Sequence, residues 1–361
     1  MLAAIMKNFR AHPLLVATLA FAAAFLASPA TQAQTIPAPK PCYDFTGTGR
    51  TSFATATGGL QFNNQNPAQT PNQNNRDIVW RILSNPTGVE QTSIFGLSLV
   101  DSLTPGYYDG DNRADLAVYR QSDSAYFLRP STAPNTLQRI QLGTTTDFSG
   151  REGDYDGDGR TDFTVVRDGG TNISWFYLRS SNNTLGAINF GLSGFTNGTG
   201  DYPIAGADYN GDGRDEITVI RRNANGETTY FAADSANGAL VTAQQWGLFD
   251  SDFFVIGDYL GDRRADFAAF RAFQGGTNGT WFIRENGGSG VVIRSFGLTS
   301  LASVTDRPIC GDYNGDGKQD IAIYRSANST FYWLNSPGFD TFSALQTGQP
   351  GSFPIAGLKA F

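Results

Sequence analysis

The feature that most constrains this chain is an Asp-rich segment that returns six times. It reads YDFTGTGRTSF from Tyr43, GYYDGDNRADL from Gly106, GDYDGDGRTDF from Gly153, ADYNGDGRDEI from Ala207, GDYLGDRRADF from Gly257 and GDYNGDGKQDI from Gly311. The first loop positions are Asp44, Tyr107, Asp154, Asp208, Asp258 and Asp312, a mean period of about 54 residues. A period of that size marks tandem supersecondary units, each of which buries its apolar face only against its neighbours.

Other features keep step with the segment. Thirteen residues after the first position stands an Arg in five of six copies, Arg120, Arg167, Arg221, Arg271 and Arg325, with Thr57 in the first. The residues leading to it alternate, as in Asp-Leu-Ala-Val-Tyr-Arg, which reads as a half-buried strand. An aromatic strand follows (Trp80, Tyr126-Phe127, Trp175-Phe176-Tyr177, Tyr230-Phe231, Trp281-Phe282, Phe331-Tyr332-Trp333), then an apolar residue before glycine, as in Phe95-Gly96 and Phe190-Gly191. Each unit thus supplies four short strands, and no segment carries sustained helical periodicity. The predicted fold is all-β, a β-propeller of four-stranded blades. Phe353-Pro354-Ile355-Ala356-Gly357-Leu358 repeats Tyr202-Pro203-Ile204-Ala205-Gly206-Ala207, so the chain ends on an extra first strand. That C-terminal strand is expected to complete the N-terminal blade and close the ring. Six blades are expected; seven is the alternative, because the first unit is stretched to 63 residues and has room for a degenerate blade. Within it, residues 61–75 are rich in Asn, Gln and Pro and read as an insertion loop.

The loop pattern D-x-[DN]-x-D-G-x-x-[DE] places side-chain oxygens at positions one, three, five and nine and a backbone carbonyl at seven. A hard cation wanting six to eight oxygens suits that spacing. Crowded carboxylates also repel one another without a counter-charge. Three copies are intact: Asp154, Asp156, Asp158 and Asp162; Asp208, Asn210, Asp212 and Glu216; Asp312, Asn314, Asp316 and Asp320. Arg160, Arg214 and Lys318 hold position seven, where the carbonyl binds and the side chain is free to face water. Two copies are weaker: Tyr107 precedes Asp109, Asp111 and Asp115, and Leu260 interrupts Asp258, Asp262 and Asp266. The first copy, with Thr46, Thr48 and Ser52, is expected to bind no ion. The cofactor expected at the intact loops is Ca2+; the alternative is a set of metal-free hairpin turns, which Asp, Asn and Gly favour by themselves.

These loops, preceded by apolar-Gly pairs, resemble the FG-GAP repeat of integrin α-subunit propellers and the related bacterial VCBS-type repeat proteins. The resemblance covers about residues 42–361. It implies a propeller with structural calcium on one face, at the ligand positions just named. The chain departs from the pattern in its first, second and fifth loops.

At the N-terminus, Lys7 and Arg10 precede an apolar run of thirteen residues, Leu14 to Leu26, shorter than a membrane span and typical of a secretory signal. Residues 1–33 are read as that signal, 34–41 as a linker and 42–361 as the propeller, exported to the extracellular space, the cell surface or the periplasm. No later stretch is long and apolar enough for a transmembrane segment. Losing the signal moves the formal charge from −7 to −9, and an acidic domain without a Lys/Arg stripe excludes nucleic acid as the expected partner. It also removes the single histidine, His12, and with it any Ser-His-Asp triad or histidine-ligated metal. Cys42 and Cys310 each lie two residues before a first loop position, in the first and last units, and are a disulfide candidate in an oxidising compartment.

The recurring Arg is expected to pair with a loop acid or carbonyl, and the aromatic strands to form core. The expected function is a binding, adhesion or surface scaffold for an extracellular protein or glycan ligand. A carbohydrate-binding propeller and a polysaccharide lyase or hydrolase are the alternatives. Any ligand is expected at the end opposite the Asp-rich loops, where 61–75, 193–202 and 299–307 vary in length.

Overall fold

A computed structural model describes residues 39–57, 77–86, 88–98, 100–272, 278–299 and 306–359. The expected signal, most of the linker and the insertion loop lie outside the described residues.

Among the described residues, twenty-three strands form six sheets. Blade 1 holds β1 (Phe53–Thr57), β2 (Asp77–Leu83) and β3 (Gln91–Leu97). Blade 2 runs β4 (Asp101–Leu103), β5 (Leu116–Arg120), β6 (Ala125–Arg129) and β7 (Gln138–Gln141). Blade 3 has β8 (Phe163–Arg167), β9 (Asn172–Leu178) and β10 (Leu185–Leu192), its first strand reduced to a bridge between Phe148 and Val166. Blade 4 is β11 (Tyr202–Ala207), β12 (Glu216–Arg222), β13 (Glu227–Ala233) and β14 (Leu240–Leu248). Blade 5 is β15 (Asp252–Phe254), β16 (Phe267–Arg271), β17 (Asn278–Arg284) and β18 (Val291–Leu298). Blade 6 is β19 (Arg307–Ile309), β20 (Ile321–Arg325), β21 (Thr330–Leu334) and β22 (Phe342–Gln346). The last strand, β23 (Phe353–Pro354), pairs antiparallel with β1 through Thr55↔Pro354 and Ala56↔Phe353, so blade 1 takes its innermost strand from the C-terminus. The fold is a six-bladed β-propeller closed as the repeat pattern predicts.

The aromatic strands explain the core. In β9, Ile173, Trp175 and Tyr177 are buried while their alternating neighbours are only partly covered, the period-two signature of a strand packed on one face. The aromatic at loop position two reaches the next blade: Tyr108 stacks on Phe163 with ring centroids 4.3 Å apart, Tyr209 on Phe267 at 5.4 Å and Tyr313 on Phe53 at 5.4 Å. The fourth strands are the outer edges, and their exposed residues include Ile94, Leu185, Ile293 and Phe342.

Each recurring Arg closes on an Asp at the start of its blade's first strand. Arg120 grips Asp101 through Nε and Nη2 at 2.7 and 2.9 Å, and Arg167–Asp147, Arg221–Asp201, Arg271–Asp252 and Arg325–Asp306 repeat the geometry. The guanidinium lies over the third-strand aromatic, Phe127, Phe176, Phe231, Phe282 or Tyr332. The acid therefore comes from the first strand, not from the Asp-rich loop. Blade 1 has Thr57 and Ser352 at the two places, so both partners are absent together. Among the described residues, no helix is long and apolar enough to cross a membrane.

Candidate functional site

The Asp-rich loops join the first and second strands of blades 2 to 6, the blade 1 loop leads into β1, and all gather around the axis at one end. Their backbone links the blades in a ring. The N–H at position eight donates to the position-one carbonyl of the preceding blade in all six cases: Thr51 to Asp312, Ala114 to Asp44, Thr161 to Tyr107, Asp215 to Asp154, Ala265 to Asp208 and Gln319 to Asp258, at 2.7–2.9 Å. The side chain at position eight adds a second link where it can accept: Thr161 Oγ1 takes the N–H of Tyr107, and Asp215 that of Asp154.

The side chain at position seven does not simply face water. Arg113, Arg160, Arg214, Arg264, Lys318 and Arg50 each lie against the position-four glycine of the preceding blade, Gly47, Gly110, Gly157, Gly211, Gly261 and Gly315. These glycines have positive φ, between 74° and 88°, so their lack of a Cβ serves both the turn and the close approach.

Within a loop, the first carboxylate accepts the N–H groups at positions four and six: Asp154 from Gly157 and Gly159, Asp208 from Gly211 and Gly213, Asp312 from Gly315 and Gly317. The ninth residue is buried and accepts the N–H at position two in every blade, from Phe45 to Ser52, Tyr108 to Asp115, Tyr155 to Asp162, Tyr209 to Glu216, Tyr259 to Asp266 and Tyr313 to Asp320. An acid at position nine thus has a task in the hairpin itself, independent of any ion.

Sequence reasoning missed a further residue set: Ser or Asn two places after the third strand. Ser131, Ser180 and Ser336 turn back to the acids of their own loops, Asp109, Asp111 and Asp115 in blade 2, Asp158 and Asp162 in blade 3, Asp316 and Asp320 in blade 6. The side chains of Asn85, Ser235 and Asn286 reach the position-two carbonyl of the preceding blade, at Tyr313, Tyr155 and Tyr209, while the N–H of Asn286 also donates to Asp266 of its own loop. The signal was legible as a polar residue at constant distance from the aromatic strand.

Among the described residues, the structure gathers one set of carboxylates to ligand spacing: Asp154, Asp156 and Asp162, with oxygens within 4.8 Å of one another. Burial, with Asp215 and Asp162 as neighbouring charges, pushes Asp154 up to about 8. Burial also pushes Asp162 up to about 7. Acids held so far above their ordinary range are sites where a divalent cation relieves both costs. The donor set is all oxygen and fits a hard cation. Asp158 stands apart, paired with Arg160 at 2.6 Å. In blade 4, Glu216 is raised to about 8 by burial, and Asn210 bonds it at 2.8 Å while Asp212 caps the N–H of Arg214. In blade 6, Asn314 is turned to Ser336 and Asp316 accepts from Lys318 N–H. In blade 5, Asp258 caps Gly261 and Arg263, Asp262 caps Arg264, and Asp266 is raised by burial to about 7.

A family model described as the FG-GAP-like repeat matches residues 154–219, one full period from the third loop through the fourth. The chain is a β-propeller that carries an FG-GAP-like repeat. Two solved structures are similar to this FG-GAP propeller. The Dos1 propeller is 12% identical over 75% of this chain and 70% of its own, with a TM-score of 0.38. A protein from Lactobacillus plantarum is 8% identical over 82% of both chains, with a TM-score of 0.42. At those values neither adds to what the strand pairing establishes. No curated protein matches the chain.

At the axis the FG-GAP propeller holds a cavity of about 370 Å³, lined on the loop side by Lys40, Glu152, Asp215, Arg263 and Lys359 among others. Glu152 accepts from Tyr126 Oη at 2.6 Å and Gly150 N at 2.9 Å, and burial raises its pKa. Lys359 Nζ donates to the Glu152 carbonyl at 3.3 Å. Cys42 and Cys310 are paired across the junction of blades 1 and 6, with Cα atoms 6.0 Å apart. At the opposite end, residues 193–201 are pinned by Asp168, which accepts from Ser193 Oγ and Gly194 N at 2.6 Å and from Thr196 N at 2.9 Å.

Proposed function

We propose that this protein is an exported propeller whose intact loops bind Ca2+ and which acts as a binding or adhesion scaffold at the cell surface. The observation that carries the calcium reading is the convergence of Asp154, Asp156 and Asp162, in which burial raises Asp154 to about 8 and Asp162 to about 7. The cysteine pair fits an oxidising compartment. Native mass spectrometry after calcium loading tests the reading: three ions per chain support it, and none would overturn it.

In blades 2 to 6 one third-strand aromatic lies beneath a guanidinium, which speaks against sugar platforms at those equivalent positions. A second reading has one observation behind it. The axial cavity is of ligand size and carries the acids Glu152 and Asp215, both raised by desolvation. Both are engaged in bonds that hold the scaffold, which is why the binding role is preferred. A lyase assay on acidic polysaccharides beside a glycan array separates the two, since turnover lost in Glu152→Gln would replace the scaffold reading.

A further inference from the structure

The second loop has a Tyr where the intact loops have their first ligand, yet its acids Asp109, Asp111 and Asp115 remain. The Tyr107 ring faces the N-terminal segment. Its hydroxyl donates to the Pro41 carbonyl at 2.7 Å and accepts the N–H of Asp44 at 2.8 Å. Two residues upstream of Cys42, Lys40 Nζ lies 4.6 Å from the centroid of that ring and donates to the Asp111 carbonyl at 3.0 Å. The acids whose charges reach this half-buried ammonium are Asp111 and Asp115 of blade 2 and Asp154 and Asp158 of blade 3. The blade 2 acids do not converge as those of blade 3 do, and protein donors hold them: Thr132 on Asp109, Ser131 on Asp111, Tyr108 and Ser131 on Asp115.

We propose that Lys40 supplies in blade 2 the positive charge that a divalent cation supplies in the intact loops, so that this loop is closed by the chain's own N-terminal segment and takes no metal. The substitution at position one and the tethered cation form one device. Tyr107 gives up a ligand oxygen and provides the ring face and hydroxyl that seat the segment carrying Lys40. An ammonium over a ring face is attracted by the ring quadrupole, and nearby carboxylates add to that attraction. The contrast with metal-bearing loops rests on the calcium reading; the role of Lys40 in holding blade 2 does not.

The experiment uses the full exported chain in two arms. In the first, Lys40→Met is melted with calcium and with chelator. A melting temperature lower by about 2–4 °C in both conditions is expected, the shift for a loss of about one kcal/mol in a large domain. No shift in chelator overturns the proposal, and this arm holds even if the wild type binds no calcium at all. In the second arm, ions are counted by native mass spectrometry. Tyr107→Asp alone should hold no more calcium than wild type, because its new carboxylate pairs with Lys40. Tyr107→Asp combined with Lys40→Met should hold one more. An additional ion in Tyr107→Asp alone overturns the proposal, and that count stands whether or not Lys40→Met folds.

Discussion

Thr51 and Asp312, 261 residues apart, bond reciprocally: the N–H of Thr51 donates to the Asp312 carbonyl at 2.8 Å, and Thr51 Oγ1 accepts the N–H of Asp312 at 2.9 Å. This is the link that joins the first Asp-rich loop to the last. Thr51→Val keeps the shape and removes the acceptor, leaving a buried N–H without its partner. A loss of about 1–3 kcal/mol is expected by urea unfolding. Thr161→Val, which breaks the equivalent link between blades 2 and 3, should cost a similar amount. An effect at Thr161 alone would show that the closing junction is already open in solution.

The Cys42–Cys310 pair spans the same junction at a sequence separation of 268. Cys42→Ser with Cys310→Ser should lower stability by about 2–4 kcal/mol, since the cross-link restrains a long loop in the unfolded chain. Thiol titration of the unreduced protein should find no free thiol; two would remove the cross-link from the account.

Arg271→Leu should be among the most damaging changes outside the core. It strands the Asp252 carboxylate, which has no exposed surface and is held by two guanidinium bonds of 2.6 and 2.7 Å. Breaking a buried pair from one side costs about 3–5 kcal/mol, reduced here because Arg271 is itself partly exposed. Adding Asp252→Asn should recover part of the loss. Thr57→Leu in blade 1, where Ser352 replaces the acid, should cost far less in the same unfolding assay.

On the proposed calcium reading, chelation should lower the melting temperature of calcium-loaded protein, because each occupied site would contribute about 2.7 kcal/mol at a hundredfold excess over its Kd. The effect should be graded. Asp156→Ala removes an oxygen from the gathered set and should abolish one site's share, and Asp212→Ala should act in the same direction in blade 4. Asp262→Ala should change the calcium dependence least, because Leu260 already interrupts that loop. Differential scanning calorimetry with and without chelator reads all three.

Asp168 gives a pH signature at the far end. Burial alone would raise its pKa, but bonds from Ser193, Thr196 and Gly194 outweigh it and hold the group at about 2. With a folded value below the unfolded one of about 3.9, its contribution to the 193–201 loop is present above pH 4 and is lost as pH falls through about 2. Asp168→Asn should show at pH 6 the loss of amide protection at Gly194 and Thr196, measured against the intrinsic exchange rate, that wild type shows only in strong acid. Equal protection in both proteins at pH 6 would dismiss the carboxylate as the anchor.

The six-blade count, the loop positions and the closing strand were legible because repetition exposes them: Phe353-Pro354 matches Tyr202-Pro203 in the sequence itself. What escaped was pairing between strands. Asp101 lies 19 residues before Arg120, on a different strand, and only sheet geometry brings them together. The acid at position nine was legible as a residue but not in its role. Alternation cannot show that Asp162 already caps the N–H of Tyr155 and that Ser52 does the same work in blade 1 with a hydroxyl. The loop ligands share that limit, since backbone spacing sets where Asp156 and Asp158 begin, whereas Arg160 decides where Asp158 points.

The six position-eight bonds act like the hoop of a cask. A linear array of repeats has two ends from which it frays, but here every stave is tied to the next and the last to the first. Loosening one tie leaves each blade still held from its other side. A defect in a single loop should therefore be felt as a uniform softening of the whole ring, with one unfolding step, instead of as the early loss of one blade.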